Sequence, residues 1–156
     1  MLEIKSTIEF DPVNLTTKHE KQSDWKCTTI CNIEGDIDKY YSWFLKKRFN
    51  LELNRPLRKA HITIINDRVT DKEKYNQAKE IFNGKEVIFT YKPDEIRSNG
   101  EHWWIKIYNT DIEAIREFAG LDRKPHFNLH LTLGYANEKN LYHSEYILRQ
   151  IMKFNL

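Results

Sequence analysis

The chain of 156 residues carries 25 basic and 23 acidic side chains, for a formal net charge of +2. Its length predicts a single domain over 1–156 with a sizeable core, and its balanced charge excludes a protein that binds long duplex nucleic acid by electrostatics alone. Because no apolar run approaches the roughly 18 residues of a membrane span and no signal-peptide core is present, we expect a cytoplasmic protein with no membrane partner.

The spacing of the apolar residues predicts ten strands and helices, since alternation is typical of strands and a spacing of three or four residues is typical of helices. In chain order the predicted elements are strands Glu3–Phe10 and Trp25–Ile33, a helix Ile37–Arg48, a strand Ala60–Ile65, a helix Asp71–Phe82, strands Glu86–Tyr91 and His102–Tyr108, a helix Ile112–Ala119, a strand Leu129–Tyr135 and a helix Leu141–Met152. Residues 11–24, 50–59 and 93–100 are expected to connect them. Thr110–Glu113 has the pattern of a capping box, and Asn99–Gly100 is typical of a tight turn.

The order β, β, α, β, α, β, β, α, β, α lacks the regular alternation of a doubly wound fold. Hairpins combined with crossover helices indicate an α+β fold with a mainly antiparallel sheet and flanking helices. Each half of the chain contains a helix, then a basic loop, then a strand that carries a histidine. Two such halves facing one another would form a pseudo-symmetric pair of lobes around a central cleft.

Two stretches share the pattern His, apolar, Thr, apolar: His61–Ile64 and His130–Leu133. In a strand, residues i and i+2 share a face, so each imidazole and hydroxyl would point away from the core when the aliphatic residues point into it. Among six histidines, two such matches arise by chance at a rate of roughly 0.002. The pattern therefore predicts one site with two imidazoles and two hydroxyls.

Two imidazoles in one site are suited to paired proton transfer. Histidine has an ordinary pKa of about 6.5, so one ring can act as a general base while the other acts as a general acid near pH 7. The threonine hydroxyls would donate hydrogen bonds to phosphate oxygens, where charge develops in the transition state. A ribose 2′-hydroxyl would be the nucleophile, and the adjacent phosphate would be attacked. Zinc binding is the other chemical reading, with His126 or His102 as a third ligand, but the paired hydroxyls would add nothing to it.

Aromatic and basic residues near these strands are the candidate substrate contacts. Trp25, Trp103 and Trp104 are candidates for stacking on nucleobases. The alternative is that at least two of the three lie in the core, and alternation lets only one of Trp103 and Trp104 face the cleft. The candidate polar contacts are Arg58, Arg68 and His126. The alternative interpretation is that these three are ordinary loop residues whose side chains are solvated.

The chain resembles the two-histidine phosphoesterase superfamily in its paired motifs. More closely, it resembles the phage anti-CBASS phosphodiesterases, in the segments Tyr41–Phe44, Arg55–Arg58, His61–Arg68, Asn99–Trp104 and His130–Gly134. This resemblance implies a pseudo-symmetric two-lobed fold and a phosphodiesterase that cleaves 3′-5′ linkages of cyclic di- and trinucleotide immune messengers, such as cyclic GMP-AMP, in the host cytoplasm.

The resemblance also implies that His61, Thr63, His130 and Thr132 form the catalytic set, with no cofactor and no metal. Two alternatives stay open: an RNA 2′,3′-cyclic phosphodiesterase of the same superfamily, and a non-catalytic module that holds the cyclic nucleotide uncut. The sequence does not assign the base and the acid between the two histidines, and it is compatible with a monomer or a homo-oligomer.

Overall fold

The computed structural model describes residues 1–13, 26–56 and 58–154, and within these ranges the chain forms seven strands and four helices. In chain order they are β1 (Leu2–Phe10), β2 (Thr29–Ile33), α1 (Ile37–Phe49), β3 (His61–Ile65), α2 (Lys72–Phe82), β4 (Glu86–Tyr91), β5 (Ile96–Ser98), β6 (His102–Lys106), α3 (Ile112–Phe118), β7 (His130–Tyr135) and α4 (Leu141–Phe154). The predicted α+β class is confirmed. No helix in the described ranges combines the length and the apolar character needed to cross a membrane.

Strand β6 ends at Lys106, two residues before the predicted end at Tyr108, and three other local predictions differ from the structure. Strand β2 begins at Thr29, because Cys27 adopts a left-handed backbone with φ 59° in a turn and donates its N–H to the Asp11 carboxylate at 2.6 Å. The short strand β5 lies within the predicted loop 93–100 and pairs with β6 across the Asn99–Gly100 turn. At the start of α3, the side chain of Asn109, outside the predicted capping box, accepts the N–H of Ile112 at 2.9 Å.

The seven strands form one sheet in the order β4-β1-β2-β3-β7-β6-β5, and every neighbouring pair is antiparallel. The predicted antiparallel character of the sheet is therefore confirmed. Backbone hydrogen bonds of 3.0 and 2.8 Å between Thr90 and Tyr108 join β4 to the chain just after β6, which curls the sheet. Strands β3 and β7, the two that carry the His–Thr pairs, are direct neighbours near the middle of the sheet.

One face of the sheet is buried against the helices. All four helices contribute side chains to a single core cluster, including Leu45 of α1 and Ile147 of α4. The aliphatic residues of both motifs lie in this core and are 0–1% exposed: Ile62, Ile64, Leu131 and Leu133. Each such side chain contributes about 1.5–3 kcal/mol on burial, and a strand displaced by one residue would lose that contribution. The packing therefore holds the histidines and threonines on the opposite face.

The connection between α1 and β3 runs alongside the end of β7. Asn54 and Tyr135 exchange two backbone hydrogen bonds, of 2.8 and 3.0 Å. This approach requires a glycine at position 134, because a Cβ there would lie 2.5 Å from the Asn54 carbonyl oxygen. The contact brings the basic segment around Arg55 to the edge of the His–Thr face.

Candidate functional site

The four motif side chains lie together where β3 meets β7. Ile62 pairs with Leu131 in antiparallel register, which sets His61 opposite Thr132 and Thr63 opposite His130. All four side chains are half-buried, and their apolar neighbours in sequence are buried on the other face. The strands thus bring both His–Thr pairs to one patch of the sheet surface.

Both imidazoles are oriented by the same local contact. Nδ1 of His61 lies 2.8 Å from the carbonyl oxygen of Lys59, and Nδ1 of His130 lies 2.8 Å from that of Asn128. A carbonyl oxygen only accepts, so each Nδ1 carries the hydrogen and donates it. In the neutral ring Nε2 is then the basic nitrogen, and in the protonated ring Nε2 carries the proton that can be donated. Each ring therefore presents Nε2 for proton transfer.

The surroundings of His61 disfavour its protonated form. Burial is the largest cause and lowers its pKa below the ordinary 6.5, and the positive charges of Arg58 and His130 act in the same direction. The hydrogen bond to the Lys59 carbonyl and the charge of Glu9 oppose this shift without reversing it. His61 lies diagonally across from His130 on the paired strands, which is close enough for the charge of one ring to act on the other. His61 is accordingly neutral over most of the physiological pH range.

Two cavities meet at the His–Thr patch, and Thr132 lines both of them. One, which we call the basic cavity, has a volume of about 240 Å³ and adjoins the segment 58–60 that leads into β3. The other, which we call the aromatic cavity, has a volume of about 290 Å³ and adjoins the segment 127–128 that leads into β7. The reacting group of a ligand over Thr132 would thus have one cavity on each side.

The aromatic cavity is built from rings around His130. Its lining includes Trp104, Phe127 and His102, and the Trp104 ring centroid lies 6.3 Å from that of His130. Trp104 pairs with Thr132 across the sheet, which places its side chain on the His–Thr face. An apolar cavity lined by flat rings suits a nucleobase, since stacking on an aromatic ring contributes about 1–3 kcal/mol.

Phe127 lines this cavity but is not among the residues that the sequence predicts, which include only its neighbour His126. Its place just before the second motif is the only signal in the sequence. A loop has no regular spacing of apolar residues, so the sequence does not predict which way the Phe127 ring points. The guanidinium of Arg116 lies 5.9 Å from the Phe127 ring centroid on the side of the core. Register also places Lys106 opposite His130 and Asn32 opposite His61, so both are further polar residues on this face.

Among the predicted substrate contacts, Trp104 and Arg58 are at the patch. Arg58 lines the basic cavity, and its guanidinium donates to the Glu9 carboxylate at 2.8 Å and to the Val13 carbonyl at 2.7 Å. Trp103 is not a substrate contact, because it is 0% exposed in the core and its indole N–H donates to Ser144 at 2.8 Å. Trp25 lies outside the described residues.

Arg68 and His126 are not brought to the patch. Arg68 is exposed beyond the end of β3, and neither residue lines either cavity. The His126 ring is 71% exposed, and its Nδ1 lies 3.4 Å from the Asp67 carboxylate. Both residues lie in loops, and a pattern of charges in the sequence does not predict where a loop side chain points.

Within the described ranges no group of three or more His, Cys, Asp or Glu side chains is arranged to hold a metal ion. His102 and His126, the two candidates for a third zinc ligand, also lie apart. His102 lines the aromatic cavity, whereas His126 lies beside the Asp67 carboxylate.

Comparisons of the chain with protein-family models, with curated proteins and with solved structures found no match.

Proposed function

We propose that this protein is a phosphodiesterase that cleaves the 3′-5′ linkages of cyclic di- and trinucleotides by acid–base catalysis, with no metal or other cofactor. The observation that carries this proposal is the arrangement of two imidazoles and two hydroxyls, paired across β3 and β7, on one half-buried patch. Both rings present Nε2, as an enzyme needs when one proton is taken and another is given on opposite sides of a phosphate.

In the first step the ribose 2′-hydroxyl attacks the adjacent phosphorus. His61 Nε2 takes the 2′-hydroxyl proton, an O–P bond forms at the 2′-oxygen, and the bond to the 5′-oxygen breaks. Protonated His130 gives its Nε2 proton to the departing 5′-oxygen. The products are a linear chain with a free 5′-hydroxyl and a 2′,3′-cyclic phosphate. Thr63 and Thr132 donate hydrogen bonds to the phosphate oxygens as their negative charge grows.

The assignment of His61 as the base rests on its surroundings. A base must be neutral before the reaction, and burial together with the charges of Arg58 and His130 keeps the pKa of His61 low. In a second step, water replaces the 5′-hydroxyl and the roles reverse: His130 takes a proton from water and His61 returns one to the 2′-oxygen. The final product carries a terminal 3′-phosphate.

The two halves of the sheet are related to one another in this proposed function. Strands β4-β1-β2-β3 and β7-β6-β5 would be the two lobes of a pseudo-symmetric two-histidine phosphoesterase fold. Two features support this: each histidine bonds the carbonyl two residues before it, and the residues just before each histidine line the adjacent cavity. A role in counter-defence against bacterial CBASS immunity, in the host cytoplasm, follows from the resemblance of the linking segments.

The direct test is incubation of the protein with a cyclic dinucleotide in EDTA, followed by chromatography. We expect a linear product bearing a 2′,3′-cyclic or 3′-phosphate. Intact nucleotide retained by the protein would instead support a binding module. Turnover limited to RNA-terminal 2′,3′-cyclic phosphates would support the RNA-processing alternative.

His61→Ala and His130→Ala should each lower kcat by at least about 100-fold, because general acid–base catalysis contributes about 10²–10⁴-fold. The matched control is His143→Gln, since His143 bonds the Phe49 carbonyl away from both cavities and glutamine can preserve that bond. Circular dichroism checks that every variant folds. A folded His61→Ala or His130→Ala variant with near-normal turnover would refute the catalytic assignment.

A further inference from the structure

Apart from Arg58 and Thr132, the residues that line the basic cavity have no part in the chemistry described above, and its lining differs from that of the aromatic cavity. No aromatic residue is among its described lining residues. Its cationic side chains are Lys39, Arg55, Arg58 and Lys59. It opens toward the same threonine that faces the reacting phosphate. A ligand that reaches Thr132 therefore has a cationic pocket beside it.

The charges in this cavity are only partly balanced. Lys39 pairs with Asp36 at 3.2 Å, and Arg58 pairs with Glu9 at 2.8 Å. A second carboxylate, Asp38, also lines the cavity.

Arg55 and Lys59 take part in none of the ion pairs found between described residues. Arg55 and Lys59 can therefore bind an anionic ligand. Among the residues that line the cavity, Asp38 is the carboxylate that would oppose such a ligand.

The cationic wall is held in place by the backbone. The paired hydrogen bonds between Asn54 and Tyr135 fix the chain just before Arg55 against β7, and Pro56 restricts the backbone of Arg55, the residue before it. The guanidinium of Arg58 is anchored to Glu9 and to the Val13 carbonyl. A preorganised cationic wall costs little ordering free energy when an anion binds.

We propose that the basic cavity binds a second phosphodiester group of the same substrate, while the first lies between His61 and His130. This inference rests on the proposed function and narrows it: the preferred substrate has two phosphates held at a short separation, as in a cyclic dinucleotide. A terminal 2′,3′-cyclic phosphate would fill the reacting position and leave this cavity without a ligand. The base of one nucleoside would lie in the aromatic cavity on the other side of Thr132.

The test uses two probes that cannot be cleaved because fluorine replaces the 2′-hydroxyl. One is a cyclic dinucleotide with two phosphates, and the other is the linear dinucleoside monophosphate with the same bases and one phosphate. Isothermal titration calorimetry measures the Kd of both for the full chain and for Arg55→Gln and Lys59→Gln. The matched control is Arg149→Gln, an exposed arginine on α4.

We expect Arg55→Gln to weaken binding of the cyclic probe by about 10-fold, because it removes a charge-assisted hydrogen bond to the second phosphate. Binding of the linear probe should change by less than about 2-fold, and Arg149→Gln should change neither. Raising the salt concentration should weaken the cyclic probe's binding less steeply in Arg55→Gln than in the native chain.

Equal losses for both probes, or no loss for either, would overturn the proposal. A native chain that does not bind the cyclic probe would overturn it as well. Because these measurements need no turnover, the outcome is separate from that of the proposed function. Binding with the expected pattern but no cleavage of the 2′-hydroxyl substrate would retain the second-phosphate site and reject the catalytic proposal.

Discussion

The two histidines share one hydrogen-bonding arrangement but have different neighbours. Both donate from Nδ1 to the carbonyl two residues earlier, at 2.8 Å. His61 lies near the Arg58–Glu9 pair, whereas His130 lies beside the Trp104 ring. At the scale of single residues, the local strand geometry thus selects the tautomer, and more distant contacts make the two rings unequal.

This inequality predicts the pH dependence. A general base acts when it is deprotonated, so kcat/KM on a cyclic dinucleotide should rise with pH through a pKa below the ordinary histidine value of 6.5. Removing the positive charge in Arg58→Gln should raise the pKa of His61 and move this rise to higher pH. Removing the negative charge in Glu9→Gln should move it to lower pH.

An NMR titration of the His61 ring in the same variants measures the shift without substrate. The double variant Arg58→Gln/Glu9→Gln is the control, because it removes both opposing charges and should shift the pKa less than Arg58→Gln alone. If Arg58→Gln leaves the titration in place or lowers its midpoint, the electrostatic account of His61 is wrong.

At the scale of the elements, the contact between the 50–56 connection and β7 determines the shape of the basic cavity. The strand can accept this neighbour only because Gly134 has no side chain: an added Cβ would lie 2.5 Å from the Asn54 carbonyl oxygen and 2.9 Å from the Leu53 Cβ. The first contact is with backbone, which cannot rotate away as a flexible side chain can. The connection as a whole must therefore move if this position is filled.

Gly134→Ala should destabilise the fold by about 1–3 kcal/mol, the usual cost of overpacking, and should raise the KM for a cyclic dinucleotide as Arg55 is displaced. Denaturant unfolding and steady-state kinetics measure the two effects. Gly84→Ala is the control: its φ of +83° makes alanine unfavourable, but no atom lies within 4 Å of the added Cβ. It should lose stability with an unchanged KM. An unaltered KM in Gly134→Ala would show that the close approach does not position the cationic wall.

At the scale of the whole molecule, one buried charge pair links the end of β3 to the loop that precedes β7. Arg116 of α3 is 0% exposed and donates to the Asp67 carboxylate at 2.7 and 2.8 Å. It also donates to the carbonyl oxygen of Ile64 in β3 and to that of Asp122, both at 2.9 Å. Its contact with Phe127 extends this cluster to the aromatic cavity. Arg116 therefore contacts both strand β3 and a residue that lines the aromatic cavity.

Asp67→Asn should lower the free energy of unfolding by about 3 kcal/mol, because it leaves a buried guanidinium without its counter-charge. Hydrogen bonds from Arg116 are the main reason that the pKa of Asp67 lies below its ordinary 3.8. The unfolded chain then binds a proton more readily than the folded chain, so stability should be full above about pH 4 and fall as the pH drops toward the lowered value. Urea unfolding at a series of pH values between about 2.5 and 7 measures how the free energy of unfolding depends on pH.

The control is Glu138→Gln, an exposed carboxylate outside this cluster, which should change stability by less than about 0.5 kcal/mol. The double variant Asp67→Leu/Arg116→Met should be more stable than Asp67→Asn, since it leaves no buried charge. Loss of the same stability in Glu138→Gln, or an Asp67→Asn variant as stable as the native chain, would contradict the role of the pair.

Local features of this chain were readable from its residues. Alternation at 61–64 and 130–133 predicted which side chains face the core, and the helical spacing located all four helices to within a few residues. The α+β class followed from their order. These predictions succeed because the backbone period of a strand or helix repeats over several residues and so leaves a pattern in the sequence. A strand of three residues, such as β5, is too short to leave one.

Long-range packing decided the rest. The pairing of β3 with β7, the choice of Trp104 rather than Trp103 for the open face, and the burial of Arg116 beside a carboxylate 49 residues away all depend on contacts between distant segments. No local pattern encodes them, because a charged helix residue looks the same whether it meets water or a partner. The sequence by itself determined which histidine and threonine side chains point away from the core. Only the folded sheet decided which of these side chains lie together, because strand pairing depends on the free energy of packing the whole core.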